Sequence, residues 1–155
     1  MAITVRPADL ADLPAILDLY AYLAEEAAAF YHEERLPPAE AERMFQEIAA
    51  HPGQFLLVAD DAGRAVGTVL LVLYPNLTHE GRPAAVLENM VIHPDYRRRG
   101  VGAALLRAVD GLARTYRVVK ISLTSNAARR GAHRFYEALG WQRSHVGYTL
   151  AYPEP

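Results

Sequence analysis

Arg97-Arg98-Arg99-Gly100-Val101-Gly102 lies between an apolar run, Ala84 to Ile92, and a pattern in which Val101, Ala104, Leu105, Ala108 and Leu112 recur three and four apart. The apolar run reads as a strand ending at His93-Pro94, and the recurring pattern reads as a helix with one apolar face. Two glycines let the backbone come close to a ligand, the helix start leaves its first N–H groups unpaired, and three arginines add positive charge. The turn is suited to a pyrophosphate. Val118 to Leu123 follows as another apolar strand, completing a strand, anion-binding turn, helix, strand unit.

Upstream, Ile3 to Arg6 predicts a short strand, and Leu10, Leu13, Leu17 and Tyr20 predict an amphipathic helix that continues through Tyr22 to Glu34. Pro38 starts a second helix reaching about Ala50, which His51-Pro52-Gly53 ends. Phe55 to Ala59 and Ala65 to Tyr74 flank Asp60-Asp61-Ala62-Gly63-Arg64, a hairpin signal. Pro75 to Pro83 reads as a loop. Downstream, Ala132, Phe135, Tyr136 and Leu139 make a short helix face with Gly140 as its C-terminal cap, before a terminal strand from Trp141 onward.

At 155 residues, 52% of them hydrophobic, the chain can bury a substantial core, and one domain over 1–155 is expected. It has no cysteine, which excludes disulfides, thiolate metal sites and a cysteine nucleophile. No basic leader followed by an apolar stretch opens the chain, and no run is long enough to span a bilayer, so a cytoplasmic protein without membrane association is expected. Residues 1 to 90 carry 5 arginines against 14 acidic groups, whereas residues 91 to 155 carry 11 basic groups against 4 acidic ones. The basic half suits an anionic ligand. Its arginines are scattered over several elements, which disfavours nucleic acid.

The familiar nucleotide motifs fail. A P-loop needs Gly-Lys-Ser/Thr, and the single lysine is Lys120; a dinucleotide fingerprint needs a third glycine where Leu105 stands. The turn instead resembles the acyl-CoA signature of the GNAT superfamily of N-acetyltransferases, Arg/Gln-x-x-Gly-x-Gly/Ala, met by Arg97, Gly100 and Gly102. Leu87 to Tyr96 resembles that family's fourth strand and lead-in, and Ala132 to Trp141 resembles its Ala-x-x-Phe-Tyr-x-x-x-Gly-Phe segment. Three segments in the family's order cover roughly half the chain. The stretch around Ser125, Arg129 and Ala132-His133 is similar to the branch containing aminoalkylphosphonate N-acetyltransferases.

The resemblance implies an α/β (α+β) fold with a mixed, mostly antiparallel sheet of about six to seven strands and about four helices. It implies acetyl-CoA as cosubstrate and transfer of acetyl to a primary amine of a small molecule, by direct attack in a ternary complex. The main chain of Met90, Val91 and Ile92 would bond the pantetheine amides and polarise the acetyl carbonyl, with a bulge splaying this strand from Val118 to Leu123. The amides from Arg97 through Arg98, Arg99, Gly100, Val101 and Gly102 to Ala103 would take the pyrophosphate.

Tyr136 would be the general acid for the departing thiolate, aimed from the helix start, its alternative being a core tyrosine. Glu88 matches a position where some relatives place a base acting through water. Regular alternation puts it on one face with Met90 and Ile92, where burial would raise its pKa. The usual cofactor-contacting asparagine is replaced by Arg129, so Asn126, Arg129 and His133 are the substitutes near pantetheine or phosphate.

Tyr20, Tyr22, Glu25, Glu26, Phe30 and Tyr31 fall where the family builds its acceptor wall. His32, His51, His79, His93 and His145 show no ligand spacing, so no metal is expected. A homodimer is compatible with an exposed terminal strand. Acetylation of a protein or peptide, and a non-catalytic acyl-CoA-binding module, are the alternative functions.

Overall fold

The computed structural model describes residues 2–27 and 35–152. Contacts divide the chain into two compact units, Met1–Leu123 and Thr124–Pro155.

The first unit is built on a five-stranded sheet in sequence order. β1 (Ile3–Pro7), β2 (Gln54–Asp61), β3 (Arg64–Tyr74) and β4 (Ala84–Ile92) are antiparallel neighbours, and β5 (Ile121–Ser122) runs parallel to β4. The β2–β3 hairpin turns on Ala62 (φ 52°) and Gly63 (φ 87°), the left-handed pair that matches the strands' twist. Asp60 locks this turn by accepting the Gly63 N–H at 2.8 Å.

Helices cover both faces. α1 (Leu13–Ala27) packs on β3 and β4, and α2 (Pro38–Ala50) on β2. Pro38 supplies a first helical residue whose missing N–H costs nothing, while Ala41 and Phe45, four apart, bury the inner face. The helix stops where His51, held extended ahead of Pro52, leaves the helical region. The expected continuation of α1 through Ala28 to Glu34 lies outside the described residues.

α3 (Val101–Thr115) takes the opposite face, burying Val101, Leu105 and Val109 along one stripe. Each such side chain contributes about 1.5–3 kcal/mol on leaving water. A Cβ at Gly67 would stand 2.8 Å from Ile92 Cδ1 and 3.3 Å from both Val101 Cγ1 and Val91 O, so a larger residue there would have to displace the Ile92 side chain. Next to Gly67, Thr68 points the other way, to α1.

A polar cluster ties the N-terminus to the sheet. Arg6 bonds both carboxylate oxygens of Asp12, at 2.7 and 2.9 Å, and reaches Asp60 Oδ2 at 2.7 Å. Asp12 also accepts the Asp9 N–H, while Asp9 accepts that of Ala11, so a capping box starts the 3-10 turn Leu10–Asp12 that leads into α1.

In the second unit, α4 (Arg130–Ala138) ends at Gly140 (φ 87°), where Gly140 N–H bonds Glu137 O and Trp141 N–H bonds Tyr136 O. No strand is assigned over residues 141–152, contrary to the expected terminal strand. Alternation alone does not make a strand; a hydrogen-bonded ladder does, and these residues have none. Val146, Tyr148, Leu150 and Tyr152 are all exposed. Val118 to Leu123 is likewise shortened to Ile121–Ser122, leaving five strands among the described residues against about six to seven expected. The mixed architecture and the four helices agree with expectation.

Candidate active site

The basic turn is shaped from both ends. His93 is pinned by its N–H to Val66 O at 2.9 Å, and its Nδ1 accepts the Asp95 N–H, capping the 3-10 turn Pro94–Tyr96. Tyr96 donates its hydroxyl to Asp61 Oδ2 at 2.9 Å, and that bond holds the tyrosine's pKa above its ordinary value. Arg97 Nε donates to Ile92 O at 3.3 Å, Arg98 is left-handed at φ 59°, and the Arg99 guanidinium lies 5.7 Å from the Tyr96 ring centroid. Arg97, Arg98, Arg99 and Gly100 are exposed.

Gly100 caps α3 in the left-handed conformation, φ 79°. The first helical bond runs from Ala104 N–H to Gly100 O, so the amides of Val101, Gly102 and Ala103 precede the ladder. Helix amides, the positive end of the helix dipole and exposed guanidinium groups therefore converge on one small surface. Such a surface favours an anion with several oxygens.

β4 departs from regular alternation immediately upstream. Thr68 faces Val91 and Leu70 faces Glu88, so β4 carries one residue more than β3 between these pairs. Asn89, at φ 52°, occupies the bulge. Directly opposed residues share a face, so Glu88 lies on the face of Thr68 and Val91, whereas Ile92, opposite Gly67, lies on the other. The shared face expected for Glu88, Met90 and Ile92 is thus corrected by one inserted residue. Glu88 is also exposed, whereas burial among apolar side chains was expected. Val91 is buried; Met90 and Ile92 are half-buried.

β4 and β5 pair only at Ala85 with Ile121 and Val86 with Ser122. From Leu87 onward the two segments part, beside the bulge and ahead of the arginine turn.

Asn89, which occupies the bulge, is a site residue that the sequence analysis does not name. The available signal was an asparagine inside the apolar run Ala84 to Ile92, because asparagine is the residue after glycine that best tolerates a left-handed backbone. Burial pushes the Tyr20 hydroxyl pKa up to about 12, against the opposing effects of the Asn89 and Thr68 side chains. Tyr22 meets His93 edge-on at 5.6 Å and, with Asp18, Glu25 and Arg64, borders a cleft of about 400 Å³. Phe30, Tyr31 and His32, and the side chain of Glu26, lie outside the described residues. Among the described residues, no group of three His, Asp or Glu side chains could hold a metal ion, and no helix is long and apolar enough to cross a membrane.

In the second unit, Asn126, Arg129 and His133 form a local constellation. Asn126 accepts the Ala128 N–H on its side chain, and its carbonyl oxygen accepts from Arg129 N–H and, at 3.0 Å, from His133 Nε2. A carbonyl oxygen can only accept, so Nε2 carries a proton. Tyr136 sits late in α4 and not at its start, half-buried between Phe135 at 5.3 Å and Trp141 at 5.7 Å. Burial raises its hydroxyl pKa, and the Arg129 charge opposes that rise.

The acetyltransferase (GNAT) family model matches residues 19–141, a span that crosses the boundary between the two units. Among characterised relatives, a Trypanosoma brucei brucei glucosamine 6-phosphate N-acetyltransferase is 35% identical over 80 residues, 52% of each chain. A Salmonella typhimurium aminoalkylphosphonate N-acetyltransferase is 32% identical over 89 residues, 57% of each chain. The chain thus spans about half the length of these two relatives. A solved structure of a candidate acetyltransferase from Agrobacterium tumefaciens superimposes with a TM-score of 0.87 at 31% identity, covering 96% of this chain and 99% of its own.

Proposed function

The chain belongs to the GNAT acetyltransferase family, and from that membership we propose that it transfers acetyl from acetyl-CoA to a primary amine of a small molecule. The observation that carries this reading is the passage from β4 into α3: a bulged strand that parts from its neighbour, then a left-handed glycine, unpaired helix amides and exposed arginines. Acetyl-CoA supplies an activated thioester, which needs no covalent enzyme intermediate to react with an amine. The absence of any cysteine is consistent with direct attack.

In this reading, the amides from Arg97 to Ala103 hold the pyrophosphate, and the main chain of Met90, Val91 and Ile92 holds pantetheine and donates to the carbonyl oxygen as it gains charge. Asn126, Arg129 and His133 serve the cofactor's polar groups. Glu88, exposed on β4, takes the amine's proton through water. Tyr136, whose raised pKa keeps the hydroxyl protonated, supplies a proton to the departing thiolate. The phosphate- and phosphonate-bearing amines named for the two relatives described above make a small anionic amine the first acceptor class to test.

The test is CoA release against a panel of amines, phosphorylated and phosphonate-bearing ones first. Tyr136→Phe and Glu88→Gln should each lower kcat by roughly a hundredfold while CoA still binds. Unchanged turnover in both variants would remove the assigned chemistry. Acetylated peptides without any small-molecule product would move the acceptor to protein.

A further inference from the structure

The exposed residues Arg97 to Gly100 hang between two fixed points. On the far side Val101, 1% exposed, is packed at the start of α3. On the near side Tyr96 reaches back 35 positions in sequence to β2, where its hydroxyl donates to Asp61 Oδ2 at 2.9 Å. Arg97 adds a longer bond, 3.3 Å, to Ile92 O. The tyrosine's bond is the shorter of the two and ends on a carboxylate, which makes it the stronger tie.

Asp61 is a firm acceptor. As the last residue of β2 it pairs with Ile3 on β1 and Arg64 on β3, next to a hairpin turn that Asp60 and Gly63 lock. The Tyr96 ring is seated as well, with His93 edge-on at 5.9 Å and the Arg99 guanidinium 5.7 Å from its centroid. One tyrosine thus joins an acceptor on the sheet to an arginine of the turn. Arg98, two residues on, lies at φ 59°, a left-handed conformation that a non-glycine residue keeps only when the chain on either side imposes it. Tyr96 imposes it from the entry and Val101 from the exit.

We propose that Tyr96 is a positioning residue, whose hydroxyl, bound to Asp61, fixes the entry of the arginine turn and so raises its affinity for the pyrophosphate of CoA. This rests on the acetyl-transfer reading and deepens it at the cofactor's anionic end. Met90 to Ile92 lie upstream of the anchor, so losing it should raise the acetyl-CoA KM and spare kcat. The role also carries a sign. A carboxylate near an anion site repels the anion, so by charge alone Asp61 would weaken binding, whereas as an anchor it strengthens binding.

The full chain is compared as wild type, Tyr96→Phe, Asp61→Ala, Asp61→Asn and the Tyr96→Phe/Asp61→Ala double variant. Calorimetry with CoA, turnover on the best amine of the panel, and ligand-free hydrogen exchange of the Tyr96 and Arg97 amides, which bond His93 O and Pro94 O, are measured. Tyr96→Phe keeps the ring beside Arg99; it should raise the CoA Kd and the acetyl-CoA KM roughly fivefold, leave kcat within about twofold and speed exchange roughly fivefold. Asp61→Ala should also weaken CoA binding although it removes a negative charge. Asp61→Asn, whose amide oxygen still accepts the hydroxyl proton, should bind CoA within about twofold of wild type. The double variant should bind no worse than Tyr96→Phe alone. Unchanged CoA binding in Tyr96→Phe, tighter binding in Asp61→Ala, a fall in kcat at constant KM, or losses that multiply in the double variant would each overturn the anchor while leaving the acetyl-transfer reading in place. Wild-type protein that binds no CoA would overturn both, so the wild type alone tells the two failures apart.

Discussion

Two groups of arginine in the first unit use the same side chain for opposite ends. Arg6 is enclosed by carboxylates, bonding Asp12 at two oxygens and Asp60 at a third, and both acids are almost fully buried. Arg97, Arg98 and Arg99 stand exposed on a turn with a left-handed glycine and a helix start behind them. An arginine whose donors are met inside the fold serves the fold, because freeing it would strand buried anions. Arginines exposed beside a helix start keep their charge at the surface, where it can meet an external anion.

The sharpest way to break this contrast is Arg6→Ala. It should cost about 2 kcal/mol, near thirtyfold in the folding equilibrium and less than for a fully buried pair because a third of the Arg6 side chain is exposed. Urea unfolding reads the loss, and CoA affinity should not change once the protein is folded. A variant as stable as wild type would reduce the cluster to surface decoration. The converse change, Arg97, Arg98 and Arg99 all to alanine, should weaken CoA binding about tenfold in low salt and by less at high salt, with little effect on the unfolding midpoint. Salt-independent weakening would mean that the turn had been reshaped and not merely discharged.

Gly100→Ala tests the backbone of the turn apart from its charges. No heavy atom lies within 4 Å of the added Cβ, so only the left-handed φ of 79° is strained, at about 1 kcal/mol or fivefold in the folding equilibrium. Thermal unfolding with and without CoA separates that strain from binding.

The smallest effect concerns acid. Hydrogen bonding from Arg6 lowers the Asp12 pKa, and the Gly63 N–H, then Arg6, lower that of Asp60, both from an ordinary 3.8. Folded values below unfolded ones mean the stabilisation is present above about 3.8 and lost as pH falls through the folded values. The stability gap between wild type and Arg6→Ala should therefore be constant near neutrality and close below pH 4. A gap that persists in acid would show that Arg6 acts through packing.

Local pattern and local structure agree where the cause is local. Pro38 to Ala50, Ala84 to Ile92 and the turn at Ala62-Gly63 lie where their spacing and turn residues put them, because caps, periodicity and φ preference act within a few residues. The stretch from Trp141 onward shows the limit, since alternation there has no partner strand to pair with among the described residues. Arg6 and Asp60 lie 54 positions apart, and nothing in either neighbourhood announces the pair. Tyr20 reads as one more aromatic on a helix face, and only the packing of α1 on the sheet brings it against Val58 and Ala65.

The sequence by itself determined the element order from β1 to α4, the glycine-bearing turn with its arginines and the family to which the chain belongs, because these rest on short spacings that survive any arrangement in space. Tertiary structure alone decided which face Glu88 takes, where β4 leaves β5, and which arginine is consumed by the fold. A strand's facing has a period of two, so one inserted residue at Asn89 reverses what alternation predicts.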